Sequence, residues 1–311
     1  MSRFLSHLFK FFIPIIIYFI IAIFLDPIGL YFTNSFKIKT TNPDDDEIIK
    51  LKKYVQSPNE IVFLGDSKID QLITYNLHND TELKISNLAF GGSNIHEIEE
   101  TFNFLIKYKN PNRLYIGINF HNYNMAYSHN RVKRLSKYIE NPLYYLISKD
   151  LFYSIINILN NYFFPKSITV NIKKEVTKLD QEKNWESALE TLNSYFNYYS
   201  YPKEIEGKLL KIKRFCEQNN IELIFVITPI HKDILTKIKD YNLQYEYEKF
   251  KNFIFSLCTV YDFSNLNKFT NDKSNFNDPY HLNKDACMIL FDEIFNPNSD
   301  FIVKKISRIK N

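Results

Sequence analysis

This sequence is sparing of cysteine and of glycine, and it holds no dense basic block. Its three cysteines, Cys216, Cys258 and Cys287, stand far apart and form neither a Cys-x-x-Cys pair nor a Cys–His cluster. That spacing argues against a zinc ribbon or a redox dithiol, and so few scattered cysteines make no disulfide framework. Each lies in apolar or strand-like surroundings, where a thiol acts as a small buried hydrophobe. Net charge is only +4 and spread along the chain, so no basic block marks a nucleic-acid surface. His78, His96, His121 and His129 lack metal-ligand spacing. A metal-dependent phosphoesterase on Asp66, Asp278 and His281 would need denser carboxylate and histidine clusters than the chain offers. Glycine numbers six, no internal repeat is visible, and no second long apolar run follows Asn34.

What is present is apolar bulk. Hydrophobic residues make up 45% of 311 positions and aromatics 16%, enough for a substantial core. The longest apolar run, Phe11 to Leu25, follows Arg3, His7 and Lys10, and ends at Asp26-Pro27 before a second patch at Ile28–Phe32. With Leu8 and Phe9 added and Lys10 reaching outward, it approaches the ~20 residues of a spanning helix. No Ala-x-Ala-like site follows, which favours an uncleaved anchor over a signal peptide. An all-round apolar helix also lacks the stripe of a soluble core helix. Basic residues ahead of the run predict a cytoplasmic N-terminus with the remainder outside. The expected division is therefore a membrane anchor over 1–34 and a globular domain over 35–311.

A polar linker, Asn42 to Glu47, leads to a short helix over Glu47–Tyr54. Short β-branched runs then predict strands at Glu60–Leu64, Leu83–Leu88, Arg113–Ile118, Glu222–Thr228 and Thr259–Phe263. Helical patterns fall at Lys68–Leu77, Ile95–Lys107, Lys203–Asn219, His231–Leu257 and Lys284–Phe295. This alternation predicts a parallel sheet covered on both faces, with ligands bound beyond the carboxyl ends of the strands. The segment 127–201, rich in Tyr, Asn and Leu, breaks the rhythm. It reads as a helical insertion between the third and fourth strands, with helical excursions such as Pro142–Phe164, and would serve as a lid, a partner surface or a membrane-facing patch.

Chemistry gathers at the predicted strand ends. Gly65-Asp66-Ser67 follows the first strand and puts Ser67 at a helix start, where it would cap the helix and where developing negative charge is best tolerated. Asp66 is a second capping candidate. A serine needs a base, and His281 follows Asp278 by three residues, a spacing that lets the carboxylate fix the imidazole. Gly91-Gly92 follows the second strand and admits close backbone approach. Asn119 ends the third and carries a side-chain amide. His121 lies just past Asn119 as a candidate for the same site, whereas His231 reads as the start of a helix. Ser67-Lys68 is no convincing Ser–Lys dyad, since adjacent helix residues point apart.

In order and placement, Gly65-Asp66-Ser67, Gly92, Gly117-x-Asn119 and Asp278-x-x-His281 resemble the four blocks of the SGNH (GDSL-type) hydrolase superfamily. The resemblance runs from Ile61 to about Phe295, apart from the insertion. It implies a three-layer α/β/α sandwich around a five-stranded parallel sheet. It also implies Ser67 as nucleophile, His281 as base and Asp278 as its orienting acid. The oxyanion hole would comprise the backbone N–H groups of Ser67 and Gly92 and the Asn119 side chain. Gly92 is chosen over Gly91 because it lies five residues after Asn87. One departure is Phe120, where the family pattern has Asp.

The resulting expectation is a membrane-anchored serine esterase or O-acyltransferase using an acyl-enzyme and no metal or cofactor. Its substrate would be an extracytoplasmic acyl ester or acylated glycan. Its other partners would be the lipid bilayer and a membrane acyltransferase, as in the envelope proteins of alginate O-acetylation and teichoic-acid D-alanylation that the chain loosely resembles. The rival expectation is an inactive binding or assembly factor that keeps the same shell.

Overall fold

The structure, a computed structural model, describes residues 2–26, 29–30, 45–77, 84–164, 178–296 and 304–306. The expected linker at 42–44, the ends of the apolar patch at 28 and 31–32, His78, the start of the second strand at Leu83 and the middle of the insertion at 165–177 lie outside the described residues. The chain divides into two compact units, one of residues 1–53 and 131–174, the other of 54–130 and 175–311.

The first unit begins with α1 (Ser2–Leu25), a 24-residue helix containing Pro14. Among the described residues, no helix is long and apolar enough to cross a membrane. The second helix, α2 (Asp45–Gln56), starts two residues earlier than expected and starts inside the predicted linker.

The second unit is built on the predicted strand–helix alternation: β1 (Ile61–Gly65), α3 (Ser67–Leu77), β2 (Ile85–Ala89), α4 (Ile95–Leu105) and β3 (Arg113–Gly117). Returning to the first unit, the chain forms α5 (Val132–Glu140), α6 (Pro142–Leu146) and α7 (Lys149–Phe163). The helical stretch expected over Pro142–Phe164 is divided in two, because Ser148 turns out of helical geometry and caps α7, its hydroxyl accepting the N–H of Leu151. The remaining elements belong to the second unit: α8 (Lys178–Asn197), α9 (Lys203–Gln218), β4 (Glu222–Ile227), α10 (Lys232–Asp240), α11 (Gln244–Leu257), β5 (Thr259–Asp262), α12 (Lys268–Asn271), α13 (Lys284–Phe295) and β6 (Lys304–Ile306). The single helix expected over His231–Leu257 breaks between α10 and α11, where Asn242 adopts φ +55° and the N–H groups of Asn242 and Leu243 close back on Lys239 and Ile238.

Five strands are parallel, in the order β2-β1-β3-β4-β5, and β6 adds an antiparallel edge that the sequence did not suggest. Helices α3 and α13 pack together on one face, while α4, α9 and α11 cover the other. The strands are buried on both sides, as their unbroken apolar runs require. On the α3–α13 face, Phe63 of β1 and Tyr115 of β3 stack at 4.3 Å over a cluster with Ile73, Leu290 and Phe291. All three cysteines carry free thiols, pushed up to about 12 by burial, with Cys287 inside that cluster.

The strand order fixes where a ligand can bind. From β1 the chain steps to one side to make β2, then crosses to the other side for β3. The connections on either side of β1 therefore diverge at its carboxyl end, leaving a crevice there.

Candidate active site

Two glycines set the local geometry. Gly65 ends β1 with φ +154°, a conformation open essentially to glycine alone. A Cβ on Gly117, at the end of β3, would lie 2.0 Å from Cγ1 of Ile69, and one on Gly65 would lie 2.8 Å from the same atom. Ile69 of α3 thus sits over both strand ends. This close approach brings the first turn of α3 onto the carboxyl edge of the sheet.

The capping role falls to Asp66 rather than Ser67. Asp66 Oδ1 accepts the N–H of Lys68 at 3.0 Å, and its carbonyl accepts that of Asp70. Ser67 is the first residue of α3 and its side chain is turned elsewhere. Its Oγ lies 2.8 Å from Nε2 of His281, whose Nδ1 lies 2.7 Å from Oδ2 of Asp278. A carboxylate can only accept, so Nδ1 carries the proton and Nε2 is free to accept the Ser67 hydroxyl. Asp278 holds its own turn as well, with Oδ1 accepting the N–H groups of Tyr280 and His281 at 2.9 and 3.0 Å. Burial pushes the Asp278 carboxyl up, but hydrogen bonding and charge from His281, with those backbone donors, outweigh it and leave its pKa below the ordinary value.

A cavity of about 150 Å³ opens beside this relay, lined by Ser67, Gly92 and His281, with Asp66, Lys68, His121, Asn122, Thr191, Tyr195 and Tyr280. Gly92 has φ +66°, and a Cβ there would meet nothing. Its requirement is conformational, not steric. Asn119, the third expected oxyanion group, is only 2% exposed and is turned onto Asp66: its Nδ2 donates to Asp66 Oδ2 at 3.1 Å, and its Oδ1 accepts the hydroxyl of Thr228 at 2.6 Å. One N–H of that amide remains beyond the Asp66 bond. Asn122 reaches the cavity wall and uses its amide on Asp66 Oδ2 and on the carbonyl of Ser93.

Asp66 is consequently the hub beneath the site. Its Oδ2 also accepts from Lys68 Nζ at 2.7 Å, a pair with both side chains almost fully buried. Burial raises the Asp66 pKa, but the Lys68 charge, His121 and the hydrogen bonds from Lys68 together bring it below the ordinary value. Lys68 Nζ also lies 3.3 Å from His121 Nε2. An ammonium has no lone pair to offer, so His121 accepts there and carries its proton on Nδ1. Burial first, then the Lys68 charge, hold His121 well below the ordinary histidine pKa. Its ring rests between Tyr195 and Tyr280, at 5.9 and 5.3 Å between centroids.

The sequence left out Lys68 as a site residue, because adjacent positions on a helix point apart. That argument neglects the reach of a lysine, whose chain folds back to the residue two positions earlier. Thr191 and Tyr195 were also missed; they come from α8, and no local pattern marks them. His231 behaves as the start of α10: it is 2% exposed, its Nδ1 accepts the N–H of Asp233, and its backbone N–H ties to the carbonyl of Pro279, two residues before His281. Among the described residues, no group of three or more His, Cys, Asp and Glu side chains is arranged to hold a metal ion.

No protein-family model matches the chain, and no curated protein matches it. Among solved structures, a candidate acylhydrolase from Bacteroides fragilis is 12% identical, with a TM-score of 0.39 over 79% of this chain and 94% of its own. A candidate platelet activating factor from Streptococcus pneumoniae is 10% identical, with a TM-score of 0.40 over 81% of this chain and 92% of its own.

Proposed function

We propose that the protein is a serine esterase or O-acyltransferase of the SGNH type, working through an acyl-enzyme on Ser67. The observation that carries this reading is the unbroken relay from Ser67 Oγ to His281 at 2.8 Å and from His281 to Asp278 at 2.7 Å, opening on a cavity at the sheet's crevice. Ser67 Oγ bonds to an ester carbonyl carbon while its proton passes to His281 Nε2. Asp278 stabilises the resulting imidazolium. The negative charge on the carbonyl oxygen is held by the backbone N–H groups of Ser67 and Gly92 and by the remaining N–H of Asn119, at a helix start where the dipole adds to the effect. The C–O bond to the leaving alcohol then breaks, and His281 returns the proton to that oxygen. Water attacking the acyl-enzyme, again through His281, gives hydrolysis. A glycan hydroxyl in its place gives acyl transfer.

The cellular setting belongs to the same proposal. The chain would be anchored by α1 with its N-terminus cytoplasmic, and would act on an acylated glycan of the cell envelope beside a membrane acyltransferase. Support for the anchor is the basic residues ahead of the run and the outward-facing hydrocarbon of α1, where Phe11 is 68%, Ile20 61% and Phe24 67% exposed.

A fluorophosphonate probe tests the chemistry. Wild type is expected to label, and Ser67→Ala to remain unlabelled while keeping its fold by circular dichroism. Equal labelling of both proteins, or no labelling of folded wild type, turns the reading toward the binding factor. Release of acid from acyl-nitrophenyl esters, with and without an added glycan acceptor, separates hydrolysis from transfer.

A further inference from the structure

The first unit wears its hydrophobic residues on the outside. Among the described residues, 17 of the 23 exposed large hydrophobics fall in just two segments, 11–24 and 143–164. On α1 they are Phe and Ile throughout. On α6, α7 and the residues that end them they include Leu143 at 69%, Ile147 at 67%, Tyr153 at 61%, Phe163 at 67% and Phe164 at 75% exposure. The two segments are continuous. The Tyr18 hydroxyl donates to the carbonyl of Leu146 at 2.9 Å, and its ring meets Phe152 at 6.0 Å. Between them lies an apolar groove of about 620 Å³, walled by Ile15, Phe19, Ile147 and Phe152 among others.

The distribution around α1 says what covers this surface. At about 100° per residue, the exposed positions 11, 12, 13, 15, 16, 17, 20, 23 and 24 sweep roughly 240° of the helix circumference. Tyr18 lies in the remaining arc, where it meets Leu146 and Phe152, and Ala22, at 1% exposure, lies beside it at the edge of the sweep. A protein partner covers a stripe, whereas a lipid phase surrounds a helix on every side it is offered. Composition changes along the same surface: only Phe and Ile among the large exposed side chains from Phe11 to Phe24 of α1, then Tyr and Phe interspersed with Lys149, Asn157 and Asn160 on α7. That is the sequence of environments from acyl chains to headgroups.

We propose that α6 and α7 form a second membrane-contacting element, an interfacial platform whose Tyr and Phe side chains enter the bilayer beside α1. The occupant of the apolar groove is lipid acyl chain. Exposed Lys137 and Lys149 favour a leaflet containing anionic lipid. This rests on the anchored reading of α1 and extends it to the insertion.

The test reads each segment separately, in the full chain reconstituted into phosphatidylcholine–phosphatidylglycerol vesicles with or without brominated acyl chains. The protein's single tryptophan, Trp185, lies in the second unit and supplies the baseline. Phe11→Trp reports on α1, while Tyr153→Trp and Phe163→Trp report on α7. Expected is bromine quenching of the tryptophans at 153 and 163 about twofold or more above the parent, with emission shifted to the blue. Quenching at 11 alone overturns the platform and leaves the anchor. Quenching at none of the three overturns both. A blue shift at 163 that grows with protein concentration in detergent and is insensitive to bromine makes the cover a second copy of the chain, and also overturns the proposal.

Discussion

The two units of this chain spend their side chains in opposite ways. In the sheet unit, polar groups are drawn inside and paired: the Asp66 carboxylate gathers Lys68, Asn119 and Asn122 beneath Ser67. In the helical unit, apolar groups are turned outward, with Phe24 and Phe163 both 67% exposed. A buried polar network tolerates few replacements, because each lost partner leaves a group unsatisfied. An exposed apolar face tolerates many, because nothing within the fold depends on it. Substitutions are therefore expected to separate the units by kind of damage: chemistry and stability in one, lipid affinity in the other.

The largest effect is expected at Ser67. Ser67→Ala should lower ester turnover by about 10⁴-fold or more with little change in thermal midpoint, measured side by side. A variant that keeps its activity would reduce the sheet unit to a shell. Next comes Lys68→Met, which strands the buried Asp66 carboxylate without its cation and should cost about 3–5 kcal/mol in urea unfolding. Gly117→Ala is third, at roughly 1–3 kcal/mol, since its Cβ meets Ile69. Combined with Ile69→Ala it should cost less than the two single changes added together.

A pH experiment refines the same contrast. Asp66 and Asp278 have folded-state pKa values below their unfolded ones, so the stability they contribute is present above about pH 4 and lost as pH falls through the folded values. His121 is depressed too, but it is a base. The unfolded chain takes up its proton first, and stability drains as pH falls below about 6.5. His121→Asn should flatten the upper part of that acid slope in urea midpoints and leave the carboxylate part in place. The smallest effect belongs to the helical unit. Phe163→Ser should leave stability within about 0.5 kcal/mol and esterase turnover unchanged, while weakening vesicle binding.

Much of the sheet unit was legible because its signals are local. The strands are short β-branched runs, and Ser67, Gly92 and His281 each sit at a strand end or before a helix. Those positions declare themselves by spacing. What stayed hidden depends on side-chain reach or on distant chain. Lys68 folds back onto Asp66. Tyr195 arrives from α8, 128 residues beyond Ser67. The division of the insertion was hidden as well: α5–α7 join the helical unit and α8 the sheet unit, and neither composition nor periodicity marks that boundary. Ser67 itself was expected to cap α3. Asp66 does so instead, which leaves the serine hydroxyl to His281.

Ile69 has a consequence for how the chain can vary. Its side chain fills the space above Gly65 and Gly117 at once, so the strand that delivers Ser67 and the strand that delivers Asn119 meet through one set of methyl groups. Positions 65, 69 and 117 then behave as a single heritable unit. A larger residue at 117 should be found only with a smaller one at 69, and transplanting the serine loop into another sheet would require moving all three together.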